Sequence, residues 1–168
     1  CKRDCYRELA YEEKVRLGFK GNENLIFKNS STGKRDTLSM GAIYKYVSPG
    51  GNKCKDDRES FAISGFFRRK LYTNSSEISF TTQIAQPENN DTRFLYPDIT
   101  TSFGKFSLNV NTSRVSTTVN SHTVSDVYEI SNTTSGFSPD VDKIYFSFNQ
   151  GLVKILLRDG KTWERIDI

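Results

Sequence analysis

A single histidine and three cysteines hold most of the reactive chemistry available to this chain, and none of them sits in a pattern that commits it to catalysis. His122 lies in "VNSHTVSD", with Ser121 and Ser125 nearby and Asp126 closing the stretch. A Ser-His-Asp relay needs three groups converging in space, whereas neighbours along a strand point to opposite faces. His122 therefore reads as an exposed strand histidine. Cys1, Cys5 and Cys54 have no CxxC spacing, and one distant histidine does not complete a zinc shell, so no metal ligand is assigned. Asp56, Asp57 and Glu59 cluster in "CKDDRE", where paired carboxylates for glycoside hydrolysis could be assembled. Beside Gly50 and Gly51 such a cluster ordinarily forms a solvated turn. "SPGGNK" lacks the spacing and the following helix of a phosphate loop. No catalytic residue and no cofactor is assigned.

Charge is spread unevenly. Residues 1–70 hold 16 Lys/Arg against 9 Asp/Glu, while 71–168 hold 8 against 11, so the N-terminal part is the basic end of a chain whose net charge is +4. Nucleic-acid binding calls for bases interleaved with stacking aromatics. Only "GFFRRKLY" offers that, and it reads better as a strand with one charged face, so no nucleic-acid partner is expected. A basic end also suits anionic lipid headgroups.

The elements that must position these residues are mostly strands. At 168 residues one domain is expected, and 12% aromatic side chains supply a core despite 26% charge. No run of eighteen apolar residues exists, so no spanning helix is expected. Alternation predicts strands at about 24–29 and 37–47, then in "FAISGFFRRKLYT" and "EISFTTQIAQ", with a loop through "AQPENNDTRFLYPD". Residues 100–135 hold 16 Ser/Thr and four charges; without proline, and with Phe106, Leu108 and Val110 alternating, they read as strands with a hydroxyl-rich outer face.

The C-terminal stretch is the most regular. Ile144, Phe146 and Phe148 alternate, the chain turns at 149–151, and Asp159-Gly160 fits the two-residue loop of a type I′ hairpin. That loop would set Leu157 opposite Thr162, Leu156 opposite Trp163, Ile155 opposite Glu164 and Val153 opposite Ile166, with Trp163 buried. "CYRELAYEEKVRLG" predicts one short helix ending on Gly18. The fold class expected is all-β: an antiparallel meander of about nine to ten strands forming a barrel, half-barrel or sandwich, with at most one short N-terminal helix. Five Asn-x-Ser/Thr sequons, at Asn29, Asn74, Asn90, Asn111 and Asn132, are about twice the chance number, which keeps a secreted glycoprotein as a minority reading.

An N-terminal cysteine, the block "LIFKNSSTGKRDTL", a lone mid-chain cysteine before an acidic cluster and the ending "GLVKILLRDGKTWERI" together resemble the small Bacteroidetes-type outer-membrane lipoproteins. The likeness covers both ends and is poor over about 85–140. It implies a Cys1 acylated after signal-peptide removal, an outer-membrane anchor, an all-β domain and no established activity. Residues 1–4 would then be a tether and 5–168 one β-rich domain. With Cys1 lipidated, Cys5 and Cys54 are the pair left for a disulfide in an oxidising envelope; an unmodified Cys1 would compete for Cys54. Lys2-Arg3-Asp4, where surface-exported members of such families carry an acidic stretch, favours the periplasmic side. Asp36-Thr37-Leu38 resembles the short O-glycosylation motif of such bacteria, although an ordinary strand start accounts for it too. Two function classes follow. One is a lipid-anchored binding or structural module for a glycan, a peptide, a small apolar ligand or an envelope protein, with Tyr44, Tyr46, Phe66 and Phe67 lining its contact face. The alternative is a glycan-active hydrolase built on unpaired carboxylates.

Overall fold

The computed structural model describes residues 9–48, 58–67, 79–85, 96–134 and 141–168. Cys1, Cys5, Cys54, Asp56, Asp57, Asn74 and Asn90 lie outside them. The elements in chain order are α1 (Tyr11–Val15), β1 (Asn24–Asn29), β2 (Arg35–Met40), β3 (Tyr44–Ser48), β4 (Arg58–Phe67), β5 (Ser79–Ala85), β6 (Asp98–Thr101), β7 (Gly104–Phe106), β8 (Arg114–Val119), β9 (His122–Ser131), β10 (Val141–Ser147), β11 (Gly151–Leu157) and β12 (Thr162–Arg165).

Among the described residues the twelve strands join one antiparallel sheet of order β7-β6-β5-β4-β2-β1-β12-β11-β10-β9-β8, with β3 paired to β4 off this path, and the sheet curls into a half-barrel. Pairing of β1 with β12, Phe27 opposite Arg165, fastens the first strand to the last. The curl brings the far end round: Phe106 bridges to Asn132, and Thr133 donates its N–H to the Lys105 carbonyl at 3.0 Å.

Period-two burial explains why these segments are strands. In β1, Leu25, Phe27 and Asn29 point inward while their neighbours face water. The inner face collects Phe27, Leu38, Ile63, Phe67, Phe80, Phe103, Ile144, Phe146, Ile155 and Trp163 into the main core. Each such aliphatic or Phe side chain contributes about 1.5–3 kcal/mol by leaving water.

Three details depart from the sequence reading, each for a local reason. The strand expected over 37–47 breaks into β2 and β3 at Gly41, whose N–H donates to the Ser64 carbonyl at 2.8 Å; both halves pair with β4, which is one source of the higher strand count. The type I′ loop is not at Asp159-Gly160. Only Gly160 there has a positive φ, at 83°, and Leu157 donates its N–H to the Lys161 carbonyl at 2.9 Å, closing a three-residue loop. The register slips by one, so Ile155 faces Trp163 and Leu156 faces Thr162. Trp163 is buried as expected, but on the face it shares with Ile155 and Leu157. Val153 goes to the opposite face because a bulge shifts the β10–β11 register next to it. The two-residue turn with both φ positive occurs instead at Asn120 (46°) and Ser121 (70°), joining β8 to β9.

That β8–β9 hairpin does not simply extend the sheet. At Asp126, where φ is 54°, and at the register shift between Val115 and Thr117, it bends over the outer face. Val119, Val124 and Val127 close on Val153 beside Tyr145 and Ile168, forming a second small core. Asn120 N–H donates to Glu164 Oε2 at 2.9 Å and Lys154 Nζ to the Thr118 carbonyl at 3.3 Å, pinning the tip.

One end of the half-barrel is plugged by the N-terminal segment. Glu13 reaches back to the Ala10 N–H at 2.7 Å and so caps α1, which in the described residues is shorter than the sequence predicts. Leu9 and Leu17 then pack on Ile84 and Phe61, and Phe19 meets Phe80 and Phe146 edge-on. Gly18 has φ +78°, and a Cβ there would lie 2.6 Å from the Phe146 ring. Only glycine permits this close a turn into the core.

Candidate functional site

Beside the plug, at the same end of the half-barrel, three aromatic side chains from distant parts of the chain converge. Tyr96 precedes β6, Tyr128 lies on β9 and Phe148 follows β10. Tyr128 and Phe148 have centroids 4.8 Å apart, and Tyr96 stands 6.4 Å from each. Arg114, first residue of β8, sits opposite Tyr128 in the register and places its guanidinium 5.1 Å from that ring. Arg16, just past α1, lies 6.0 Å over Phe148. Such cation–π geometry fixes the arginines over the rings.

Arg114, Asp126, Tyr128, Ser147, Phe148 and Asn149 line a pocket of about 200 Å³. Arg114 Nε and Nη2 donate to the Tyr128 hydroxyl oxygen at 3.0 and 2.7 Å. That hydroxyl holds the guanidinium further up in pKa, with Asp126 adding to it, so the cation is permanent. Two donors on one oxygen turn the Tyr128 proton away from Arg114, and among the described residues no hydrogen bond takes it. Arg114 Nη1 is 4.0 Å from Asp126 Oδ1, both side chains being mostly exposed at 61% and 79%. The bend at Asp126, a residue type that tolerates the left-handed region, delivers this carboxylate to the pocket.

The residues singled out from the sequence do not meet here, Asp126 excepted. His122 is exposed and hydrogen-bonds the Asn120 carbonyl through Nδ1 at 3.0 Å, in line with an exposed strand histidine. Glu59, offered as a turn carboxylate, is fully buried in β4. It accepts the Leu9 N–H at 2.6 Å and Lys45 Nζ at 2.5 Å, and ties the plug to the wall. Tyr44, Tyr46 and Phe66 are exposed on the outer face, while Phe67 is in the core, so the four do not share one wall. Asp36 is buried on β2, with Oδ1 accepting the Thr37 N–H at 2.7 Å.

Two described sequons are committed to structure. Asn132 Nδ2 donates to the Phe103 and Val141 carbonyls at 3.2 and 2.9 Å, and Asn29 is buried with its Oδ1 accepting from Ser31 and Thr32. Asn111 is exposed.

Sequence reasoning missed Tyr96, Arg114, Tyr128 and Phe148 as a group. They come from four separate segments, and Phe148 reads from the sequence as one more alternating core residue. Among the described residues no cluster of His, Cys, Asp and Glu could hold a metal ion, and no helix is long and apolar enough to cross a membrane. Compared with known proteins, the chain matches no family model, no curated protein and no solved structure.

Proposed function

We propose that this β half-barrel is a binding module of the cell envelope without chemistry of its own, and that its contact site is the rim pocket. The observation that carries the reading is the convergence of Tyr96, Tyr128 and Phe148 under Arg114 beside an open pocket. A few placed polar groups against aromatic walls are the usual make-up of a ligand site. Glu59, the one carboxylate of the acidic cluster among the described residues, is engaged in holding the plug.

The test is binding of the folded domain to an array of envelope glycans and peptides, alongside Phe148→Ala. Capture of at least one class by the native domain, lost in a variant that still unfolds cooperatively, is the expected result. Equal capture by both proteins, or none by either, would overturn the pocket as the contact site.

The envelope location and the lipid on Cys1 belong to the same proposal and rest on the family resemblance. Fatty-acid labelling of the full precursor, native against Cys1→Ala, tests them. A Cys5–Cys54 bridge also belongs here. Leu9 and Glu59 are in contact, Cys5 is four residues before the first and Cys54 five before the second. At about 3.5 Å per residue these chain lengths permit the two cysteines to pair. Alkylation with and without reduction decides it: a Cys54 freely alkylated in the native protein is the contradicting result.

A further inference from the structure

We infer that the rim pocket recognises the hydroxyls of a neutral sugar ring, a ligand class that rests on the pocket being the contact site proposed above. Arg114 Nη1 and Asp126 Oδ1 stand 4.0 Å apart, too far for a direct hydrogen bond. An oxygen placed about 2.8 Å from each atom sees them about 90° apart, close enough to the tetrahedral arrangement of a hydroxyl that accepts from one side and donates to the other. A water or an alcohol oxygen does both at once, and the partly exposed Phe148 ring in the same pocket favours a hydroxyl carried on carbon. A carboxylate or phosphate could accept from Arg114 but would meet Asp126 as a like charge, and an ammonium would meet Arg114 in the same way.

The second polar feature points the same way. The Tyr128 hydroxyl receives two N–H groups from Arg114, which leaves its own proton for an acceptor. A ring or hydroxyl oxygen next to the bridging hydroxyl supplies one. Beneath these groups the half-buried Phe148 presents aromatic surface to the C–H face of a sugar, backed at 4.8 Å by the buried Tyr128 ring. The pocket, at about 200 Å³, is below the usual range of about 300–1,000 Å³ for drug-sized ligands and suits a single ring, such as the terminal residue of a longer glycan.

The experiment is a titration of the isotope-labelled domain followed by amide NMR, with methyl glucoside, methyl galactoside, methyl mannoside and N-acetylglucosamine as neutral probes, glucuronate as the anionic probe and a short acidic peptide as the non-sugar probe. Saturable shifts at Arg114, Tyr128, Phe148 and Asn149 with at least one neutral sugar are expected, with millimolar affinity. Glucuronate should bind at least threefold more weakly than the matching neutral sugar. Asp126→Gly, which keeps the positive-φ backbone and removes the carboxylate, should weaken binding tenfold or more while the remaining spectrum is retained. Arg114→Lys serves as the second variant and should weaken binding comparably. Glucuronate binding as tightly as the neutral sugar, or Asp126→Gly and Arg114→Lys binding like the native domain, would overturn the inference. Shifts at these residues with the peptide and with no sugar would overturn it and leave the contact site standing; no shift with any probe, together with an array that captures nothing, would overturn both.

Discussion

Glu59 joins two requirements that usually conflict, full burial and a charge. Burial pushes its carboxyl up, but the Lys45 ammonium, the Leu9 N–H and the nearby Lys14 outweigh that, and its pKa lies below the usual range. A group whose folded-state pKa is depressed stabilises the fold fully above its unfolded value, about 4.3 for Glu, and that contribution is lost as pH falls through the folded value. Glu129, held by Lys143 and then Tyr145 against burial, is depressed in the same sense. So is Glu164, where burial is outweighed by the Asn120 N–H and Lys154. Burial and Glu129 conversely push the Tyr145 hydroxyl up to about 12. Glu59→Gln is expected to cost about 1–3 kcal/mol at neutral pH, the usual penalty for weakening buried charged hydrogen bonds, and to flatten the fall in stability below about pH 4.3. Urea unfolding midpoints across that range measure it. An unchanged acid slope would remove Glu59 from the set of titrating supports. Nothing in "CKDDRE" distinguishes this residue from its neighbours, because only the fold brings Leu9 to it.

Elements were legible from the sequence where period-two alternation alone decides them, as in β1, β5 and the core of β10. They were less legible where a backbone detail redirects the side chains. Asp159-Gly160 looks like a two-residue turn. Asp159 instead accepts the Lys161 N–H at 3.0 Å, and Gly160 alone takes the left-handed position, which adds a residue to the loop and moves every later side chain to the other face. The bend at Asp126 was equally hidden, since aspartate in a strand pattern gives no sign of a positive φ, and with it the covering of Val153 by the β8–β9 hairpin. Trp163 gives the quantitative check on the corrected register. It is 5% exposed and faces Ile155 across β11–β12 within the main core. Trp163→Ala is expected to cost about 3–5 kcal/mol, read as a lowered denaturation midpoint with an unchanged slope. A loss under about 1 kcal/mol would place the indole outside the main core.

At the scale of the whole molecule, the sheet curls until Phe106 reaches Asn132, the N-terminal segment stops one end, and the pocket opens on the rim beside that stopper. The all-β class was readable from composition and turn spacing. The site was not, because its aromatic groups and Arg114 stand at 96, 114, 128 and 148 and meet only through the curl. The outer face supplies the competing surface, with Tyr44 65% and Tyr46 60% exposed on β3. The two surfaces are separated most directly by amide hydrogen exchange of the domain, free and saturated with whichever array ligand it captures. Slowed exchange is expected at Arg114, Tyr128 and the 147–149 turn, with Tyr44, Tyr46 and Ala62 unchanged; protection confined to β3 and β4 would contradict the rim pocket as the contact site.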